Sequence, residues 1–131
     1  MVWLDAMLTP AVVRRLVADL PHVEDKSTDA SLAFEVAGRG FAWSWKERLD
    51  PKTPRVPNLA VLAVRVPAEF RAVIRDAHPD RYEADAHYAN FPALLVRLDR
   101  IDEAELQAML EAAWRCVAPR GLVTSAGSRS A

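Results

Sequence analysis

The chain has 131 residues, enough for one domain that buries a full core without disulfide or metal staples. Its 17 Lys and Arg against 18 Asp and Glu give a net charge of −1, so whole-chain charge does not call for a nucleic acid or an anionic membrane as partner. The single cysteine, Cys116, excludes an intrachain disulfide, and no stretch reaches the ~18 consecutive apolar residues of a membrane span. The N-terminal MVWLDAMLTP places Asp5 where an export signal needs an unbroken apolar run. A cytoplasmic location with no membrane contact is expected.

In chain order, Thr9-Pro10 reads as the cap and first residue of a helix. Val12, Val13, Leu16, Val17 and Leu20 then recur at helical spacing up to Pro21. The stretch from His22 to Ser31 has no periodic apolar face and reads as a polar loop. Next comes a hairpin. Leu32, Phe34 and Val36 alternate with smaller or polar residues, Gly38-Arg39-Gly40 supplies a turn, and Phe41, Trp43 and Trp45 alternate in the second strand. Strict alternation predicts that these three aromatics share one face and form the buried side of the strand. After the basic, proline-rich KERLDPKTPRVPN, a third strand places Leu62, Val64 and Val66 on one face and Val61, Ala63 and Arg65 on the other.

Pro67 then opens a helix whose expected apolar stripe is Phe70, Val73, Ile74 and Ala77. Tyr82 to Tyr88 signals a short edge strand, and Leu94, Val96 and Leu98 mark a clear one. The last helix is the best marked. Asp102 and Glu105 have capping-box spacing, and Leu106, Met109, Leu110, Ala113, Trp114 and Val117 form one stripe ended by Pro119. Residues 1–122 are read as one domain and 123–131 as a disordered tail. The fold class is α+β: two layers, an antiparallel sheet of four to five strands and three helices, in the order α-β-β-β-α-β(β)-α.

Several blocks carry a family resemblance. His87-Tyr88, Phe91-Pro92, Leu95-Val96-Arg97-Leu98-Asp99 and Ala113-Trp114, with KERLDPKTPRVP upstream, resemble the MmcQ/YjbR family of small bacterial proteins from about Leu8 to Leu122. The resemblance implies an α+β fold related in shape to frataxin-like and secretion-chaperone-like domains, and the label of a predicted DNA-binding protein. It brings no catalytic residues. Where members commonly have Gly-Tyr-Pro this chain has Asn90-Phe91-Pro92, and where they commonly have Pro-Lys-Arg it has Pro119-Arg120-Gly121.

The residues support three functional readings. Arg39, Lys46, Arg48, Lys52 and Arg55 outnumber Glu47 and Asp50 around the hairpin and its loop, which suits weak DNA binding through phosphate contacts. A chaperone-like module that binds another protein is the alternative, motivated by the implied shape and by the stiffening prolines Pro51, Pro54 and Pro57. A small-molecule pocket at His87 and Tyr88 is the third, since an imidazole titrates near neutrality. No histidine pair has metal-ligand spacing, and no phosphate loop or nucleophile elbow is present, so no metal or cofactor is expected; no catalytic constellation is recognised, and a non-enzyme is favoured over an enzyme that uses His87 and Tyr88. Cys116 lies near the apolar stripe of the last helix and is expected to be buried and inert.

Overall fold

A computed structural model describes residues 8–123. The expected tail lies outside these residues except for Val123, as does the N-terminal stretch up to residue 7. Among the described residues six strands form one antiparallel sheet: β1 (Val23–Asp25), β2 (Ala33–Val36), β3 (Arg39–Glu47), β4 (Val56–Arg65), β5 (Tyr82–Glu83) and β6 (Ala93–Arg97). Their spatial order is β1-β2-β3-β4-β6-β5. Three α-helices, α1 (Pro10–Ala18), α2 (Arg71–Ala77) and α3 (Glu103–Val117), accompany the sheet, and a further helical turn begins at residue 120. The fold class is therefore α+β as expected, with six strands where the sequence pattern indicates four to five. No helix among the described residues is long and apolar enough to cross a membrane.

Both long helices form for the reasons their sequences carry. The Thr9 hydroxyl accepts the Val12 N–H and Pro10 fills the first turn, so α1 starts there and buries Val13, Leu16 and Val17. In α3 the Asp102 carboxylate accepts the Glu105 N–H while the Glu105 side chain accepts the Asp102 N–H. That box aims Leu106, Leu110, Ala113, Trp114 and Val117 into the core, and the Trp114 indole N–H donates to the Pro21 carbonyl at 2.9 Å. The main core is the layer between these helices and one face of the sheet. Leu62 and Val64 of β4 and Leu94 and Val96 of β6 enter it, with Val66 and Leu98 just beyond the strand ends, all on the face their alternation predicts.

Four elements differ from the sequence expectation in extent or burial. The polar stretch after Pro21 contains β1, which pairs Val23 to Asp25 with Val36 to Phe34 and extends the sheet by one short edge strand. The first hairpin turns at Ala37-Gly38, one residue earlier than the glycine pattern indicates, and both residues have positive φ (52° and 78°), as a two-residue loop between Val36 and Arg39 requires. The helix from Pro67 begins as a 3-10 turn and gives only seven α-helical residues, none of them buried. Phe70 and Val73 are exposed and only Ile74 packs against the core, because α2 lies beside β6 near the sheet edge and meets no second layer along its full stripe. Tyr82 to Tyr88 is strand only at Tyr82 and Glu83; Ala86–Tyr88 is a 3-10 turn.

A fifth difference, inside β3, decides which face its aromatics occupy. Ala42 pairs with Phe34 and Gly40 with Glu35, so Phe41 has no partner on β2 and forms a β-bulge. The extra residue turns Phe41 and Ala42 to the same side, and both are fully buried beneath the helices. Beyond it the alternation has shifted phase. Trp43 and Trp45 therefore lie on the opposite face from Phe41, not beside it.

Core depth ranks the side chains for a stability test. Trp114→Ala is expected to cost about 3–5 kcal/mol, read as a lower urea midpoint at unchanged slope, whereas Val73→Ser at the exposed α2 position stays within about 0.5 kcal/mol. A substantial loss from Val73→Ser would show that the α2 stripe is covered in solution.

Candidate functional site

The sheet face turned away from the helices is not bare. Strand register lines up Ala33, Trp43, Ala63, Leu95 and Glu83 in one row across β2, β3, β4, β6 and β5. Trp43 thus lies between two alanines, and Trp45, Val61, Ala63 and Leu95 form a small second core against which Trp43 and Tyr88 pack. An indole offers a large apolar surface with one N–H that needs an acceptor. Both acceptors come from the segment between β5 and β6. Trp43 Nε1 donates to the Tyr88 hydroxyl at 3.0 Å, and Trp45 Nε1 donates to the Asp85 carboxylate at 2.8 Å.

Around Trp43 the surface is aromatic and cationic. The Phe91 ring meets Trp43 and Tyr88 edge-on at centroid distances of 6.0 and 5.7 Å. The Arg65 guanidinium lies 5.1 Å from the Phe91 centroid and 5.7 Å from that of Trp43, its Nε donating to the Gly40 carbonyl at 2.9 Å. Such cation–π contacts hold the guanidinium against the rings through their quadrupoles. Phe91 is 36% exposed and Trp43 half-buried, so this cluster is accessible from solvent.

Asp85 ties the segment to the β3–β4 hairpin. One carboxylate oxygen accepts the His87 backbone N–H at 2.9 Å; the other accepts from Trp45 and from Arg55 at 3.0 Å. Burial by itself raises this carboxyl's pKa, but the hydrogen bonds from Trp45, His87 and Arg55 and the Arg55 charge outweigh it and hold the group below its ordinary value. Arg55 also donates to the Lys46 carbonyl at 2.8 Å. The ion pair is substantially shielded, with 26% of the Arg55 side chain and 12% of the Asp85 side chain accessible.

The basic residues expected to act together do not all meet. Arg39 opens β3 while Lys46 nears its other end, about 23 Å away at ~3.3 Å per residue. Arg55 turns inward to Asp85, which neutralises it. Arg48 is exposed but spends its Nη1 on the Pro51 and Thr53 carbonyls, bracing the hairpin tip. Lys46, Arg48 and Lys52 remain exposed and have no carboxylate partner among the described residues, with Asp50 capping the Lys52 N–H nearby. His87 is exposed with its ring edge-on to Tyr88 at 5.7 Å, while Tyr88 is half-buried. Neither lines the open cleft of about 450 Å³ that lies on the α2 side of the 84–89 segment. Cys116 is exposed, a correction to its expected burial, because position 116 falls one residue off the buried line of Ala113, Trp114 and Val117. Partial desolvation, with Glu69 nearby, raises its thiol pKa against the opposing pull of Arg65, which leaves little thiolate at neutral pH. Sequence reasoning missed Asp85, Arg65 and Phe91 as parts of one constellation, since their partners are distant along the chain.

The family model described as YjbR matches residues 18–116. The chain belongs to the YjbR family. An uncharacterised protein of Mycobacterium tuberculosis strain H37Rv is 31% identical over 119 residues, covering 85% of this chain and 89% of its own, and an uncharacterised protein of Mycobacterium bovis matches to the same extent. The crystal structure of the Deinococcus radiodurans protein DR2400, of domain family DUF419, superposes with a TM-score of 0.63 at 22% identity, covering 88% of this chain and 83% of that one. That likeness shows a shared fold. In this YjbR-family chain the aromatic segment that carries Asp85, Tyr88 and Phe91 lies within the matched region.

A depressed carboxyl adds stability at pH values above its unfolded pKa and loses that contribution as pH falls through its folded value. Wild-type stability is therefore expected to decline below about pH 4, and Asp85→Asn to flatten that decline while lowering stability at pH 7 by about 1–3 kcal/mol. Urea unfolding of both proteins between pH 2.5 and 7 checks this. Parallel acid limbs would remove Asp85 as the responsible group.

Proposed function

We propose that this YjbR-family protein is a binding module whose working surface is the uncovered sheet face around Trp43, Arg65 and Phe91, and that its partner is another protein. The observation that carries the reading is the Arg65 guanidinium, packed over both of two mutually perpendicular accessible rings, Trp43 and Phe91, above a small apolar floor. Aromatic and arginine side chains of this kind supply most of the energy at protein interfaces. The charge around the cluster selects between partner classes. Glu24 and Glu35 face each other across β1 and β2, and Glu83 pairs with Arg97 toward the other edge, so the face carries both signs. A polyanion laid across it would meet those carboxylates, whereas a protein surface of mixed charge matches them.

Weak DNA binding is the second reading, favoured by Lys46, Arg48 and Lys52 on the braced hairpin tip, three exposed cations with no carboxylate partner among the described residues. With Arg55 neutralised and Glu47 and Asp50 close by, the tip keeps a small positive excess. It suits a few sequence-independent phosphate contacts.

The readings separate by which substitutions abolish binding. For the protein-partner reading, Arg65→Glu and Phe91→Ser are each expected to weaken a purified, captured partner at least about tenfold, while Lys46→Gln/Arg48→Gln/Lys52→Gln leaves it unchanged. Equal affinity for wild type and both face variants would exclude the face. For the DNA reading, the association constant for a labelled 20-base-pair duplex, measured by anisotropy, should fall with a log–log salt slope of about −2.7, about 0.9 for each of three neutralised phosphates, and the triple Gln variant should lose binding. Absence of duplex binding at low salt would exclude the hairpin tip.

A further inference from the structure

The cleft of about 450 Å³ between α2 and the 84–89 segment has the size of a site for a small organic molecule. Its wall is part apolar, from Tyr82, Leu94 and the short side chains of Ala86 and Ala89, and part charged. Arg71 and Arg75, one helical turn apart on α2, both line it. So do three carboxylates, each paired with a cation: Asp76 takes Arg75 within the cleft at 3.1 Å, while Glu83 takes Arg97 at 3.5 Å and Asp85 takes Arg55 at 3.0 Å from outside it. Arg71 has no carboxylate partner among the described residues.

The guanidinium of Arg71 is fixed by backbone. Its Nε donates to the Ala93 carbonyl at 3.0 Å and one Nη2 hydrogen to the Tyr88 carbonyl at 2.9 Å. A guanidinium has five N–H donors, so Nη1 and the second hydrogen of Nη2 remain without an acceptor among the described residues. Burial, and the like charge of Arg75, disfavour the charged form of Arg71 and lower its pKa. A cation held half-buried by carbonyls, next to a second cation and against an apolar wall, is stabilised by an anion in the cleft.

We infer that this cleft binds a small organic carboxylate, its single negative charge on the free edge of the Arg71 fork and its apolar body against Tyr82, Leu94 and the Ala86–Ala89 wall. One charge is the match, because Arg75 is already offset by Asp76. The apolar wall requires a body of several carbons, and the alanines leave room for a flat ring. The inference does not rest on the sheet-face reading, although the 84–89 segment, through Asp85 and Tyr88, borders both surfaces.

Benzoate is the probe, followed by amide NMR shifts of the full chain, with benzamide and inorganic phosphate as controls. Benzoate is expected to shift amides of residues 71–76 and 82–89 with saturation in the millimolar range, benzamide to bind at least tenfold more weakly, and phosphate to leave these amides unmoved. Arg71→Gln should weaken benzoate at least tenfold, with Arg71→Lys recovering part of the loss. Should Arg71→Gln unfold, Ala89→Trp provides the second variant: it fills the cleft from an exposed position, keeps every charge, and should abolish the shifts. The assignment is overturned if benzoate moves none of these amides, if benzamide or phosphate matches it, or if Ala89→Trp binds benzoate as well as the native chain.

Discussion

One unpaired residue, Phe41, sets the organisation of both sheet faces. Without the bulge, the alternation of β3 would direct Phe41, Trp43 and Trp45 into a single layer already filled by Trp114, Phe34 and Leu62. The extra residue lets Phe41 and Ala42 both enter that layer, where the Phe41 ring lies 6.5 Å from Phe34, and moves the two tryptophans through the sheet. Two indoles on a face without a helix would expose large apolar surfaces and leave their N–H groups to solvent. The chain resolves this with the segment after β5, which covers part of the face and supplies one acceptor to each indole.

The local electrostatics arise from that solution. The acceptor for Trp45 is a carboxylate, and a partly buried carboxylate needs further donors. Asp85 obtains them from the His87 amide and from Arg55, which is thereby drawn out of the basic loop. The same contact that completes the second core thus reduces the hairpin's positive charge and leaves Arg65 as the prominent cation beside the aromatic cluster. Packing on one face therefore decides which cations are available to a partner.

What is legible in the sequence depends on which signals are local. The caps of α1 and α3 and the faces of β4 and β6 are legible, because each depends on residues three or four apart, or on strict alternation. The bulge is not. An extra residue leaves the written pattern Phe-Ala-Trp-Ser-Trp unchanged while inverting its meaning, since phase is set by pairing with Phe34 and Glu35 on β2. β1 escapes for a related reason: Val23-Glu24-Asp25 pairs on one side only and exposes its two acids, so it lacks an apolar rhythm. The α2 stripe exists as a pattern, but an apolar stripe is buried only where a second layer meets it, and only Ile74 does so. Of the candidate residues, Lys46, Arg48 and Lys52 can be named from clustering, whereas Asp85 joins residues 30 and 40 positions away and carries no local mark.

The 84–92 segment is held from both sides, and this relates the two surfaces. From the sheet, Trp43 and Trp45 grip the Tyr88 and Asp85 side chains; from α2, Arg71 grips the Tyr88 carbonyl and the Ala93 carbonyl just beyond. Tyr88 is the common element, its hydroxyl on the aromatic face and its carbonyl on the arginine at the cleft. The segment is short, without a regular ladder of its own, and its position is fixed by these few hydrogen bonds. A ligand that draws on Arg71 acts on the same turn that positions Tyr88 and Phe91 beside Trp43. Any free energy transmitted this way is reciprocal, so, on the two proposals above, a partner that seats Phe91 more firmly would raise the affinity of the proposed carboxylate for the cleft by the same factor.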